Sequence, residues 1–494
     1  MPKLLGRTTT ERRKNAAALV DEIPPSGRRR DEEARGALAR EIAAGGTRRD
    51  ALRWGAAVGG GVLAGVLASQ LAGRVKGEPG DGIPGTTISN TDIDAKRIAG
   101  IRVASEFASA KHAGSAADPW PGAAIQAAVG DVPPTGGLVF IPAGTWSLPD
   151  PLRLGRSDLA LVGTGSATRL VIPATNNFVA NSSGMIEVSG AYSGLMIERL
   201  SLDGRNTDTC RGVLITGGSE VLVRDCTFLN WLGTLSQRGR GLTVVHNPAT
   251  EAPPHKGVRV EACYFRDNQI GIVMHRTIYV IQDCYFESNL WDGIYIEGTG
   301  RGVIANNLVT FSPRTGIFLI FTDRETVLGN RIEDCGSGIQ VYEARGMSMV
   351  GNHIERCSSA GIDIRTNSAH CVASGNVVGY CAGVPGIQLL SAALNCAITD
   401  NVCRGNEDGV AALGSSEHLI EGNVCMENTR AGVHVNNANH VRILANRAYA
   451  QPYGILADGS TDYLIVKDND LRGNTTAAMS LVGANRIVGD NWEA

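Results

Sequence analysis

A short phrase returns along this chain at a nearly constant distance: Gly, an aliphatic, any residue, and a second aliphatic. It is read at Gly271-Ile272-Val273-Met274, Gly293-Ile294-Tyr295-Ile296, Gly316-Ile317-Phe318-Leu319, Gly338-Ile339-Gln340-Val341 and Gly361-Ile362-Asp363-Ile364, and its Gly returns at Gly386, Gly409, Gly432 and Gly454. Successive glycines are 22, 23, 22, 23, 25, 23, 23 and 22 residues apart. That period is too short for propeller blades or paired-helix repeats and fits one coil of a solenoid.

A second column keeps the same step: Asn307, Asn330, Asn352, Asn376, Asn401, Asn423, Asn446 and Asn469. Asn side chains stacked coil above coil can hydrogen-bond along the long axis, as in ladders of identical strands. Two residues after each Asn stands Val309, Ile332, Ile354, Val378, Cys403, Cys425, Ala448 or Leu471. Such alternation means strands with one face inward. Leucine-rich repeats share the period, but their Leu-rich consensus is absent. The expected fold is all-β, a single-stranded right-handed parallel β-helix.

The Gly-Ile and Gly-Asn phrases resemble the repeats of the pectate-lyase-like β-helix superfamily, over Gly122 to Asn491. The stretch Ala124-Ile125-Gln126-Ala127-Ala128-Val129, followed by Gly137 to Trp146, is similar to the short capping helix and first strand that open such domains. The resemblance implies a fold, but a fold hosts many activities. Asn206-Thr207-Asp208 matches a short motif of the polygalacturonases, but their paired Asp, Gly-His-Gly and Arg-x-Lys are missing from the later coils, as is the Asp-Pro-His-Asp phrase of mannuronan epimerases.

Composition narrows the partners. A net charge of -3, from 46 basic and 49 acidic residues, gives no electrostatic reason for a nucleic-acid partner. The eleven Cys are an odd number and follow the coil columns. Cys226, Cys263 and Cys284 continue the Asn column, while Cys335, Cys357 and Cys381 share another, five residues on, with Asn268, Asn289, Asn406 and Asn428. These positions predict inward-facing free thiols, packed as small hydrophobes. No CxxC pair or His cluster suggests a metal, and no cofactor is expected.

Residues 1–46 read as a charged, disordered tail. In residues 47–73, Arg48-Arg49 precedes a Gly- and Ala-rich uncharged run, which resembles a twin-arginine export signal and implies the twin-arginine translocation machinery as a partner. Residues 54–72 are also just long enough to anchor in a bilayer. Either way the β-helix is expected outside the inner membrane. Residues 74–121 hold a Gly/Pro linker and an N-terminal extension, and residues 122–494 the β-helix. Two coils are swollen, Gly212 to Gly241 by Trp231–Arg240 and Gly241 to Gly271 by Asn247–Lys256. Insertions in a repeat fold map to loops on one face, often the binding face.

Alternation sends the third residue of each phrase outward. One outward line is Val273, Tyr295, Phe318, Gln340, Asp363 and Gln388; the next is His275, Glu297, Ile320, Tyr342, Arg365 and Leu390. Aromatic platforms with polar groups between them, beside swollen loops, suit a polysaccharide. The binding set expected is Tyr295, Phe318, Gln340, Asp363, Trp231 and His246. For lysis or epimerisation of a uronate chain, Arg365 would be the cation, His275 or Tyr295 the base and Tyr342 the acid. Hydrolysis would need a carboxylate partner for Glu297 nearer than Asp363, which lies three coils or about 14 Å away. The expected function is that of an exported carbohydrate-active protein, a lyase or epimerase, or else a hydrolase, of an anionic polysaccharide; the alternative is a non-catalytic β-helix that binds glycan or supports the envelope.

Overall fold

The computed structural model describes residues 100–493, apart from 110–111, 180–181, 206–209, 234–238, 246–256 and 484. The twin-arginine stretch, residues 54–72, Asn206-Thr207-Asp208 and His246 lie outside the described residues.

Each complete coil contributes one strand to each of three sheets, and every strand pairing is parallel. Sheet A has 16 strands and runs from Ile101–Val103 to Ile487–Val488, while sheets B and C have 14 each. The coils wind into a right-handed parallel β-solenoid. Their interior is one continuous core from Ala104 to Leu471. The only α-helix among the described residues, α1 (Gly122–Asp131), buries Ala124, Ile125, Ala128 and Val129 against the first coil. Strand pairing begins before that cap. Ile101–Val103 pairs with Leu138–Phe140, and Trp120–Pro121 pairs with Trp146–Ser147. The N-terminal extension therefore already supplies strands to two sheets.

The Gly column opens sheet C, and it is fixed by space rather than by backbone twist. A Cβ on Gly316 would come within 2.6 Å of Ile332 and 2.8 Å of the Gly338 carbonyl; on Gly361 it would come within 2.1 Å of Val378. The missing side chain lets the coil turn a corner directly over the inner column of sheet B. The Asn column is a continuous ladder, buried from Asn307 to Asn469 and ending on half-buried Asn491. Asn330 Nδ2 donates to Asn352 Oδ1 at 3.0 Å, Asn352 to Asn376 at 2.9 Å and Asn376 to Asn401 at 2.9 Å. Each Oδ1 also accepts the backbone N–H of the preceding Asn, as Asn376 does from Asn352 at 2.9 Å. Buried polar groups are tolerated here because every one has a partner.

All eleven cysteines are free and buried. Cys284 caps the Asn ladder from below, its N–H donating to Asn307 Oδ1 at 2.9 Å.

Trp231 corrects the expectation of a binding residue on a swollen loop. Its side chain is fully buried in the core. The indole fits because neighbouring coils carry no side chain against it: a Cβ on Gly204 would come within 2.8 Å of its ring and one on Gly212 within 3.2 Å. Beside it in the core Phe228, Phe265 and Phe286 stack at 4.6 and 4.9 Å.

Candidate active site

Sheet C presents both outward lines in the register that the sequence implied. Val273 pairs with Tyr295, Tyr295 with Phe318, Phe318 with Gln340 and Gln340 with Asp363; His275 pairs with Glu297, Glu297 with Ile320, Ile320 with Tyr342 and Tyr342 with Arg365. Over the first of these coils lies a recess of about 270 Å³, lined by Arg240, Val245, Ile270, Val273, His275, Trp291, Tyr295, Glu297, Arg314 and Phe318. Four expected residues therefore meet there: His275, Glu297, Tyr295 and Phe318.

Tyr342 and Arg365 do not. They stand three and four coils from His275, about 14 and 19 Å along the axis at strand spacing. Asp363 faces outward but is fully buried, because Arg365 pairs with its Oδ2 and Gln340 Nε2 donates to the same oxygen at 3.0 Å. Gln340 and Arg365 thus both engage that carboxylate, outside the recess.

Two other cations, Arg240 and Arg314, line the recess instead, together with Trp291. Arg314 leaves the turn before its strand and grips Asp292 of the coil below. Its Nε donates to Oδ1 at 2.9 Å, and its Nη2 lies 2.7 Å from Oδ2 in an ionic contact without directed hydrogen-bond geometry. Its guanidinium also lies 5.0 Å from the centre of the Phe318 ring, 5.7 Å from Trp291 and 5.8 Å from Tyr295. An aromatic cage of this kind holds the cation's position. Tyr295 and Phe318 meet edge to face, at 5.4 Å and 67°.

Burial and charge set the protonation states. Burial lowers the His275 pKa below its usual value; Glu297 opposes this, while Arg276 and Arg240 add to it. The imidazole is thus neutral at neutral pH, and its Nδ1 has no hydrogen-bond partner among the described residues. Burial and then the Glu297 charge push Tyr295 up to about 12, so its hydroxyl stays protonated and donates to Glu297 Oε2 at 3.2 Å. Burial likewise pushes Asp292 up to about 6 against the pull of Arg314, and lowers Arg240 to about 10, still a cation. The recess thus joins a neutral base, a protonated phenol and two guanidinium groups.

The fold is that of a right-handed parallel β-helix protein. Residues 271–407 match the family described as right-handed beta helix region, and residues 364–492 match the family described as periplasmic copper-binding protein (NosD). Among solved structures, the chain is similar to the A-module of the Azotobacter vinelandii mannuronan C-5 epimerase AlgE6, with 17% identity and a TM-score of 0.53 over 80% of this chain and 99% of that one. It is also similar to the Dettilon tailspike protein, with 17% identity and a TM-score of 0.55 over 69% of each chain. Gene product 12 of bacteriophage phi29 has a TM-score of 0.58 at 15% identity, over 79% of this chain and 55% of that one. No curated protein matches the chain.

Proposed function

We propose that the protein is an exported, carbohydrate-active β-helix that abstracts the C5 proton of a uronate in an anionic polysaccharide, as a lyase or an epimerase. The observation that carries this reading is neutral His275 in one recess with Arg240, Arg314 and protonated Tyr295. Arg240 and Arg314 bind the uronate carboxylate and stabilise the charge that develops when the adjacent C–H bond breaks. His275 takes that proton. Tyr295, oriented by Glu297, then protonates either the departing C4 oxygen, giving an unsaturated sugar, or C5 from the opposite side, giving the epimer. In this scheme the cation is Arg240 or Arg314 rather than Arg365, and the acid is Tyr295 rather than Tyr342. The AlgE6 module, similar in fold, carries the name of an epimerase of mannuronan, which supports the polysaccharide class. The family description naming a periplasmic protein supports export.

The test offers the purified protein mannuronate-, guluronate- and galacturonate-rich polymers, following unsaturated product by absorbance and epimer ratio by NMR. His275→Ala and Tyr295→Phe should each lower turnover at least a hundredfold while binding persists, which is the usual weight of a general acid or base. A wild-type protein that neither converts nor binds any of these polymers would refute the proposal. Binding without turnover would leave the non-catalytic glycan-binding alternative.

A further inference from the structure

The coil that closes the far side of the recess carries an unexplained pair of aromatic residues. Phe311 stands in the turn just before strand Thr315–Ile320 of sheet C, and Phe321 stands in the turn just after it. Both have left-handed backbone, with φ of 56° and 54°, and both are about half exposed, at 54% and 51%. A bulky residue is disfavoured in that conformation, which Gly, Asn and Asp adopt more readily. The other coils show that neither position calls for an aromatic: Asp267, Ser288, Asp334, Arg356 and Glu427 hold the turn position of Phe311, and Arg276, Gly298, Glu343, Gly414 and Gly459 that of Phe321.

Two tyrosines in comparable turns are also exposed, but each has a partner. Tyr380 lies 5.7 Å from the Arg404 guanidinium, and Tyr463 stacks on His440 at 4.6 Å and 5°. Phe311 has no ring or guanidinium partner among the described residues. Phe321 touches only the edge of Tyr342, at 6.5 Å and 90°, which places it beside the outward face of sheet C. Between the two along the same coil lie Arg314 and Phe318, both in the recess.

We propose that Phe311 and Phe321 are stacking platforms for the outer sugars of an oligosaccharide that crosses sheet C along the strand direction, over Arg314 and Phe318. This rests on the proposed polysaccharide function and gives the ligand its direction. An axial path leads onto the Gln340–Asp363–Arg365 cluster, where Gln340 Nε2 and Arg365 already engage Asp363 Oδ2. A path across the sheet meets an aromatic face at each side and the cations in the middle. Sugar faces are apolar and rest on exposed rings, while a uronate carboxylate meets the guanidinium groups. The specificity implied is for chain length: a polymer or long oligosaccharide reaches both platforms and a disaccharide does not.

The experiment measures affinity of the full chain for oligomannuronates and oligogalacturonates of graded length, from disaccharide upward, by calorimetry. Phe311→Ala and Phe321→Ala should each weaken binding of the longer oligomers about three- to tenfold, leave disaccharide binding unchanged, and raise KM for polymer without lowering kcat. Leu328→Ala, at an apolar residue 42% exposed elsewhere on the same coil, should change nothing. Equal losses at every length, or no loss at any, would overturn the platform proposal while leaving the recess chemistry standing. A wild-type chain that binds no uronate oligomer would instead overturn the functional reading itself, and the platforms with it.

Discussion

Replacing Asn376 by Ala tests how the ladder holds the coils together. Asn376 Oδ1 accepts the Asn352 backbone N–H and the Asn352 Nδ2–H, each at 2.9 Å, and its own Nδ2 donates to Met349 O and Asn401 Oδ1, also at 2.9 Å. The substitution strands two buried donors on Asn352, at about 1–3 kcal/mol each, so the expected loss is about 2–6 kcal/mol. Each coil touches only its neighbours, so the loss should be local. Amides of the coils around Met349 to Asn401 should exchange with solvent faster, by about a thousandfold for a central loss of about 4 kcal/mol, while distant coils stay protected. Hydrogen exchange followed by mass spectrometry reads this directly. Val377→Ala, beside it but 40% exposed, is the control and should cost no more than about 0.5 kcal/mol. Unchanged exchange in the Asn376 variant would show that the ladder is incidental to coil cohesion.

Two further outcomes are expected. Trp231→Ala should destabilise the early coils by about 3–5 kcal/mol, measured by urea unfolding, because the indole fills the interior beside the Phe228 stack and the glycines around it cannot collapse into the space. His434 is buried between Asp408, 3.1 Å from Nδ1, and Asp458, 3.2 Å from Nε2, with Arg430 on Asp408 as well. Burial alone would lower its pKa, but the hydrogen bond and charge of Asp408, helped by Asp458, raise it. A raised folded pKa means that this stabilisation is complete below the unfolded value of about 6.5 and is lost as pH rises through the folded value. For Asp408, burial is outweighed by Arg430 and His434, so its pKa is lowered; its share is present above about 3.8 and is lost on acidification through the folded value. The difference in melting temperature between wild type and His434→Gln should therefore be largest between roughly pH 4 and 6.5 and shrink on the alkaline side. A difference that grows with alkalinity would refute the assignment.

The repeats were legible because stacking imposes the same demand on every coil. A Gly where a Cβ meets the next coil, an Asn where two backbone groups need a partner and an inward thiol each recur at the coil period. Trp231 was legible by the same rule. It stands five residues after Cys226, in the column that later holds Asn268, Asn289 and Cys335, all of them buried. Its surplus loop drew attention away from its column. The recess was less legible, because it depends on residues that occur once. Alternation placed His275, Glu297, Tyr295 and Phe318 on one face, but Arg240 is the first residue of its strand, directly before the Gly, and Arg314 lies in the turn before the next, both outside the Gly-led phrase to which alternation was applied. One signal was available: Asp directly before the phrase and Arg two residues before the next phrase's Gly occur at Asp292 with Arg314 and again at Asp408 with Arg430, and both pairs form. Asp363 shows the opposite limit, since its outward direction was correct and its exposure was not: neighbouring side chains covered it.

The eleven buried thiols determine where such a fold can be made. With no covalent crosslink among them, closing the core transfers no electrons and needs no oxidant or isomerase. The same winding can complete in a reducing compartment and then persist in an oxidising one, because the sulfurs lie behind sheet and corner, out of contact with glutathione. For this chain, folding and redox environment are independent variables.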